Sequence, residues 1–250
     1  MRLTTPEGRE IGYDLTEGEG PGIVFLGGFR SDRQGTKAVW LQDWATARGR
    51  AFLRFDYSGH GDSSGRFEDG TIGQWAEDAV AALDALTEGP QVLVGSSMGG
   101  WIALLLALRR PGRVAGIVGI AAAPDFTEDG FRAGLSDAER AAMERDGRIE
   151  RPSDYSDIPE VITRALLDDG ARHLVLRDPL VLPAPAHFLQ GSADADVPVD
   201  WALRLLSHAQ GPDVRLTIVK GADHRFSTPD CLQLIAATIE AVARPPHADA

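Results

Sequence analysis

Residues 91–109, QVLVGSSMGGWIALLLALR, decide the fold. Gln91 to Val94 are β-prone and follow Pro90, which suits a short buried strand. From Met98 to Leu108 the chain is apolar on almost every side, so the helix predicted there lies buried against a sheet. Between strand and helix sits Gly95-Ser96-Ser97-Met98-Gly99, a G-x-S-x-G turn. Its glycines let strand and helix approach closely, and its tight backbone holds the Ser97 hydroxyl clear at the apex. With 28 glycines in 250 residues the pattern alone is weak evidence. The strand before it, the helix after it and Gly100 as a close-packing position give it meaning. The competing reading is a glycine-rich turn whose serine only caps the helix.

Working outward, residues 2–5 and 9–15 read as a strand pair, 23–26 as a buried strand ending in Gly27-Gly28-Phe29-Arg30, and 51–55 as a strand ending in a polar turn that contains His60. Helices are predicted over 36–47 and from Thr71 to about Thr87, the second opened by a Thr71/Gln74 capping pattern. After the central helix, strands are predicted at 114–122, 186–190 and 214–219, with helices over 199–209 and to about 242. Regular alternation stops between residues 125 and about 180, where two amphipathic helical patterns stand, one capped by Ser136 and Glu139 and one over Ile158 to Leu174, with no strand evident. The expectation is one α/β domain over 1–250, with a mostly parallel sheet covered by helices on both faces and a helical lid over the sheet's carboxyl edge.

The formal net charge of −12 argues against nucleic acid as a partner, since phosphate-backbone affinity needs basic surface. Long-range repulsion should likewise disfavour polyanionic coenzyme A esters. Cys231 is the one cysteine, which excludes an intrachain disulfide and a cysteine-based zinc cluster. No apolar run reaches the length of a membrane span. The opening residues, MRLTTPEGREIGYDL, read as the first strand pair and not as a leader, so a cytoplasmic location is expected. A monomer without cofactor or metal is the simplest expectation.

A serine hydroxyl is a weak nucleophile and needs a histidine to take its proton and an acid to orient that histidine. His187, His208, His173 and His247 fall in a strand, a helix, the lid and the tail; His60 is the rival to His224, which lies in a loop after the last strand. For the acid, the loop Gly191-Ser192-Ala193-Asp194-Ala195-Asp196-Val197-Pro198 offers Asp194, favoured by its spacing, and Asp196, read as solvated or capping the next helix; Asp125 is a further alternative. The order Ser97, Asp194, His224 suits a nucleophile on such an elbow. Backbone N–H groups of Phe29 and Met98 are the expected oxyanion donors. Arg30, Trp101, Phe126, Phe131 and Tyr155 are candidate substrate-binding residues, with Arg30 and Lys37 possible partners for a substrate carboxylate.

These residues resemble those of serine hydrolases of the α/β-hydrolase fold. Within that fold the chain is similar to the branch of mitochondrial palmitoyl-protein thioesterases and mycophenolic acid acyl-glucuronide esterases. The resemblance is carried by Gly35-Thr36-Lys37-Ala38, Arg54-Phe55-Asp56-Tyr57-Ser58-Gly59, Gly89-Pro90, Gly95 to Trp101, Pro152-Ser153-Asp154-Tyr155-Ser156 and Asp223-His224-Arg225. It implies Ser97, Asp194 and His224 as a triad and esters or thioesters, small or on an S-acylated protein, as substrates. A serine peptidase and a catalytically silent binding protein are the competing functions.

Overall fold

The computed structural model describes residues 1–152 and 159–243. Its strands are β1 (Arg2–Thr4), β2 (Glu10–Thr16), β3 (Glu19–Leu26), β4 (Arg50–Phe55), β5 (Gln91–Ser96), β6 (Val114–Ile120), β7 (Arg148–Arg151), β8 (Glu160–Thr163), β9 (Leu180–Val181), β10 (Ala186–Gly191), β11 (Ala209–Gln210) and β12 (Val214–Val219). The helices are α1 (Thr36–Thr46), α2 (Ile72–Leu86), α3 (Met98–Arg109), α4 (Asp137–Asp146), α5 (Arg164–Gly170), α6 (Val199–His208) and α7 (Pro229–Ala243). Eight strands form one sheet in the order β1-β2-β4-β3-β5-β6-β10-β12. The pairs β1/β2 and β2/β4 are antiparallel, and every pair from β4 to β12 is parallel.

The alternation along β3 shows why both faces are covered. Val24 and Leu26 pack with α2 and α3, while Ile23 and Phe25 pack with α1 and α7. Strands that bury both faces need apolar residues at every position, which is why β5 and β6 read as continuous hydrophobic runs. All residues of α3 from Met98 to Ala107 are buried. From Gln91 to Ala107 the one residue not buried is Ser97.

Between β6 and β10 the structure departs from the expected all-helical segment. A π-helical turn (Thr127–Arg132) and α4 come first, and α4 has the full Ser136/Glu139 capping box and ends at left-handed Gly147. An antiparallel hairpin of β7 and β8 follows, with Ile149 opposite Ile162. The expected helix over 158–174 is therefore replaced at 160–163 by a strand, because Val161, Ile162 and Thr163 are β-branched and find a partner in β7. Helix appears only after Thr163, whose hydroxyl accepts from Leu166 N–H at 3.1 Å.

The fit of β5 against α3 is set by glycines. A Cβ on Gly95 would run into the Gly99 carbonyl, and one on Gly99 into the carbonyls of Leu26 and Gly27. At an exposed helix position Gly→Ala adds up to about 1 kcal/mol of stability. Here the sign reverses: Gly99→Ala should lower the unfolding free energy by about 1–3 kcal/mol, as overpacking does, measured by urea denaturation. A more stable variant would contradict this packing.

His60 is buried at 3% exposure among the rings of Tyr57, Phe67 and Trp75. Its Nδ1–H donates to the Ser58 carbonyl at 3.3 Å, and its Nε2 has no partner among the described residues. Burial lowers its pKa from 6.5 to about 4, against the pull of the Ser58 carbonyl, Asp56 and Asp78. In that window the unfolded chain takes up a proton that the native state refuses, so stability falls as pH drops from 6.5 to 4. His60→Gln should flatten this slope in thermal melts across the window. An unchanged slope would remove His60 as its cause.

Candidate active site

Four loops converge at the carboxyl ends of β3, β5, β10 and β12, the edge where open α/β sheets bind ligands. Ser97 stands between β5 and α3 with φ 54° and ψ −119°, a backbone setting rare for any residue with a side chain. It is held there by its own N–H to the Ile120 carbonyl at 2.9 Å and by its carbonyl, which accepts from Gly100 at 2.9 Å and Ala123 at 3.1 Å. Every backbone group of the strained residue that could resist the turn is thus tied down, and the hydroxyl is left free to point outward.

His224 reaches that hydroxyl from the loop after β12. Its Nε2 lies 3.1 Å from Ser97 Oγ, and its Nδ1 lies 2.9 and 3.1 Å from the two oxygens of Asp194. The Asp194 side chain is fully buried. Its oxygens also accept from the N–H groups of Asp196 (2.9 Å) and Val197 (2.8 Å) and from Gln190 Nε2 (2.9 Å). Burial pushes this carboxyl up, but the hydrogen bonds from His224, Val197 and Gln190 outweigh it and hold Asp194 below its ordinary value. An ionised acid in that position accepts the Nδ1–H of His224 and leaves Nε2 as the acceptor facing the serine.

The competing residues fall elsewhere. Asp196 does not cap α6, whose N-cap is Pro198, and its carboxylate comes no nearer to His224 Nε2 than 4.0 Å. Asp125 accepts from Val175 N–H (2.8 Å) and Leu176 N–H (3.0 Å) and pairs with Arg177, so it anchors the chain ahead of β9. His187 pairs with Asp213, His173 lies beside Asp169, and His208 bonds to the Arg204 carbonyl. His247 lies outside the described residues. Asp194, Asp196 and His224 do bring one ligand atom each within 4.8 Å of one another. The Asp194 oxygens, however, are already taken up by N–H donors, which leaves a cation poorly served.

Phe29 and Arg30 are the central residues of a turn closed by Ser31 N–H to the Gly28 carbonyl at 3.1 Å. A Cβ on Gly28 would lie 3.4 Å from Ser97 Cβ, so the turn rests directly against the serine. Met98 opens α3, and its N–H has no acceptor within the helix. The Phe29 ring is packed edge-on by Phe67 (4.8 Å between centroids), Trp75, Phe126 and Phe131. Four aromatic contacts of this kind around one loop residue restrict its backbone.

Above Ser97 opens a cavity of about 960 Å³ whose walls include Phe29, Phe126, Phe131 and Trp201. Trp101, expected at the substrate, is not there. It is fully buried, donates Nε1–H to the His173 carbonyl at 3.1 Å and packs under Phe126, because α3 buries its whole circumference. Tyr155 lies outside the described residues. Arg30 donates to the Pro159 carbonyl at 2.8 Å and covers the Phe67 ring. Trp201, on α6, was not among the expected site residues. Gly130 lets it approach, since a Cβ there would come within 3.1 Å of the indole, a juxtaposition of distant segments that leaves no pattern in sequence.

The model of the alpha/beta hydrolase family matches residues 23–238. Rat mitochondrial palmitoyl-protein thioesterase ABHD10 is 35% identical over 239 residues, spanning 95% of this chain and 80% of the relative. The human protein of that name is 33% identical over 95% of this chain and 78% of its own length. Among solved structures, a protein of Agrobacterium vitis S4 superposes with a TM-score of 0.94 at 42% identity, covering 98% of both chains. Mouse alpha/beta hydrolase domain-containing protein 10 does so with 0.89 at 34% identity, covering 96% of both. These relatives overturn the expected cytoplasmic location: they are named as mitochondrial proteins, and the reading of the first residues as strand carries no weight against that. The family match and the relatives agree over almost the entire length, and the chain belongs to the alpha/beta hydrolase family.

Proposed function

We propose that this chain hydrolyses carboxylic thioesters or esters through an acyl-serine intermediate, with Ser97 as nucleophile, His224 as general base and acid, and Asp194 orienting the histidine. The observation that carries the reading is the continuous path from Asp194 through both ring nitrogens of His224 to Ser97 Oγ, at 2.9 and 3.1 Å. Relatives named as palmitoyl-protein thioesterases support thioesters as the substrate class and S-acylated proteins or peptides as the carriers.

The acyl carbonyl carbon would lie against Ser97 Oγ, with its oxygen facing the N–H groups of Phe29 and Met98. Attack moves the serine proton to His224 Nε2, and negative charge collects on the carbonyl oxygen, where two preset donors stabilise it more than they do the neutral ground state. Collapse of the tetrahedral adduct breaks the bond to sulfur or oxygen, and His224 returns the proton to the leaving group. Water then repeats the sequence on the acyl-enzyme with His224 again as base. A thiol is a good leaving group, so the thioester reaction makes its largest demand on the oxyanion donors.

The segment between β6 and β10 acts in this reading as the lid. Its Phe126 and Phe131 supply apolar wall to the cavity, whose volume falls at the upper end of the range of about 300–1,000 Å³ common for small-molecule sites. No helix among the described residues is long and apolar enough to cross a membrane.

Ser97→Ala should lose about three orders of magnitude or more in rate and all labelling by a fluorophosphonate probe, while Ser96→Ala, buried at the end of β5, should keep both. Equal loss from Ser96→Ala in a folded protein would refute the assignment. Phe131→Ala should shift the relative kcat/KM across acetyl to palmitoyl thioesters by about tenfold, with the longer chains most affected. A flat response would remove this part of the lid from substrate selection.

A further inference from the structure

Lys37 is one of only two lysines in the chain, and it belongs to the Gly35-Thr36-Lys37-Ala38 stretch for which the hydrolytic scheme has no use. It occupies the first turn of α1, a helix fixed to the sheet by buried Ala38, Leu41 and Ala45. From there its half-buried side chain runs along the cavity wall, and its ammonium donates to the carbonyl of Arg225, the residue that follows His224. Ordering a lysine side chain costs rotamer freedom, and partial burial costs hydration. A charged donor on a carbonyl is among the stronger hydrogen bonds that offset such costs.

We infer that Lys37 is a positioning residue for the proposed base: by pinning the Arg225 carbonyl it sets the backbone from which the His224 ring reaches Ser97. The inference rests on the reading of His224 as general base. The loop it holds has further ties, within it and at its flank. Gly221 N–H donates to Ser192 Oγ at 2.8 Å, and Phe226 N–H donates to the Asp223 carboxylate at 3.1 Å. Ser227 Oγ donates to the same Arg225 carbonyl at 2.8 Å. Phe226 is fully buried with φ 49°, so the peptide between residues 225 and 226 sits in a left-handed turn that its neighbours must hold. Asp194 fixes the far end of the imidazole, and Lys37 fixes the chain on the near side. A ring held at both ends keeps Nε2 at hydrogen-bonding distance from the serine, whereas with the Arg225 carbonyl left to Ser227 alone, a tie within the same loop, the ring can pivot about its Asp194 contact. Burial lowers the ammonium to about 8, with Asp223 pulling it up and Arg225 pushing it down, so near neutral pH it remains a charged donor.

The test compares Lys37→Met, Lys37→Gln and Lys37→Arg in the full chain, on a neutral aryl ester and on a matched ester whose leaving group carries a carboxylate. Lys37→Met should lower kcat by about 10- to 100-fold for both esters, with KM changed by no more than about twofold. Fluorophosphonate labelling of Ser97 should slow in parallel, and Lys37→Arg, which keeps a cationic donor, should recover most of the rate. Unchanged kcat in Lys37→Met overturns the inference. So does a loss confined to KM for the carboxylate-bearing ester, which would make Lys37 a substrate contact. If circular dichroism shows that the Met variant does not fold, Gln, which keeps a shorter N–H donor, is compared with Arg by the same criteria. Failure of the hydrolase reading looks different: the unmodified protein would resist the probe, or Ser97→Ala would stay active.

Discussion

The close approach of β5 to α3 at Ser97 is the constraint on which the rest of the site depends. A residue with a side chain is forced to φ 54° there, and the strain persists because the structure around it leaves no alternative. Gly95 and Gly99 are the positions at which a methyl group would push strand and helix apart, and at Gly28 a methyl group would just touch Ser97. Each angstrom of separation would carry the serine hydroxyl away from the histidine, which arrives from a different strand and cannot follow. The reach of Ser97 is therefore a property of backbone packing in the middle of the sheet.

Around that point the protein uses two kinds of support. On the Phe29 side the support is apolar: four rings press edge-on against one side chain and anchor the loop that carries the N–H proposed for the oxyanion. On the His224 side it is polar. Asp194 is saturated by donors that keep it ionised despite its burial, and the loop carrying His224 is stitched by side chains from β10's loop and from α1. A transition state that develops charge needs both, because dipoles that must reorganise at the moment of reaction stabilise little.

Two charged groups beside the site also hold loops. Asp125 gathers two N–H groups and an arginine at the base of the segment over the site. Arg30 ties the Phe29 turn to the chain just ahead of β8. Asp125 is buried and is matched to backbone N–H groups that would otherwise lie unsatisfied, whereas the exposed Arg30 meets a carbonyl at the cavity wall.

From the residues alone, the parallel sheet, its helices and the tight turn at Ser97 are legible, and the serine, acid and histidine of the proposed triad can be picked out, because each rests on local chemistry: hydrophobic period, glycine at a forced turn, loop position after a strand. The choice of Asp194 over Asp196 was readable only as spacing, and the geometry that separates them, 2.9 Å against 4.0 Å to the imidazole, arises from how the loop after β10 folds back on Gln190. The β7/β8 hairpin is not legible in the sequence because four-residue strands carry too short a pattern to compete with helical periodicity until each has the other to bond to. Trp101 leaves the site for a related reason: an aromatic close to Ser97 in sequence is carried into the core by a helix buried on all sides. Trp201 at the cavity wall and Lys37 at the histidine loop come from helices on opposite faces of the sheet, and only the tertiary structure, which brings both to one sheet edge, decides that they meet at the site.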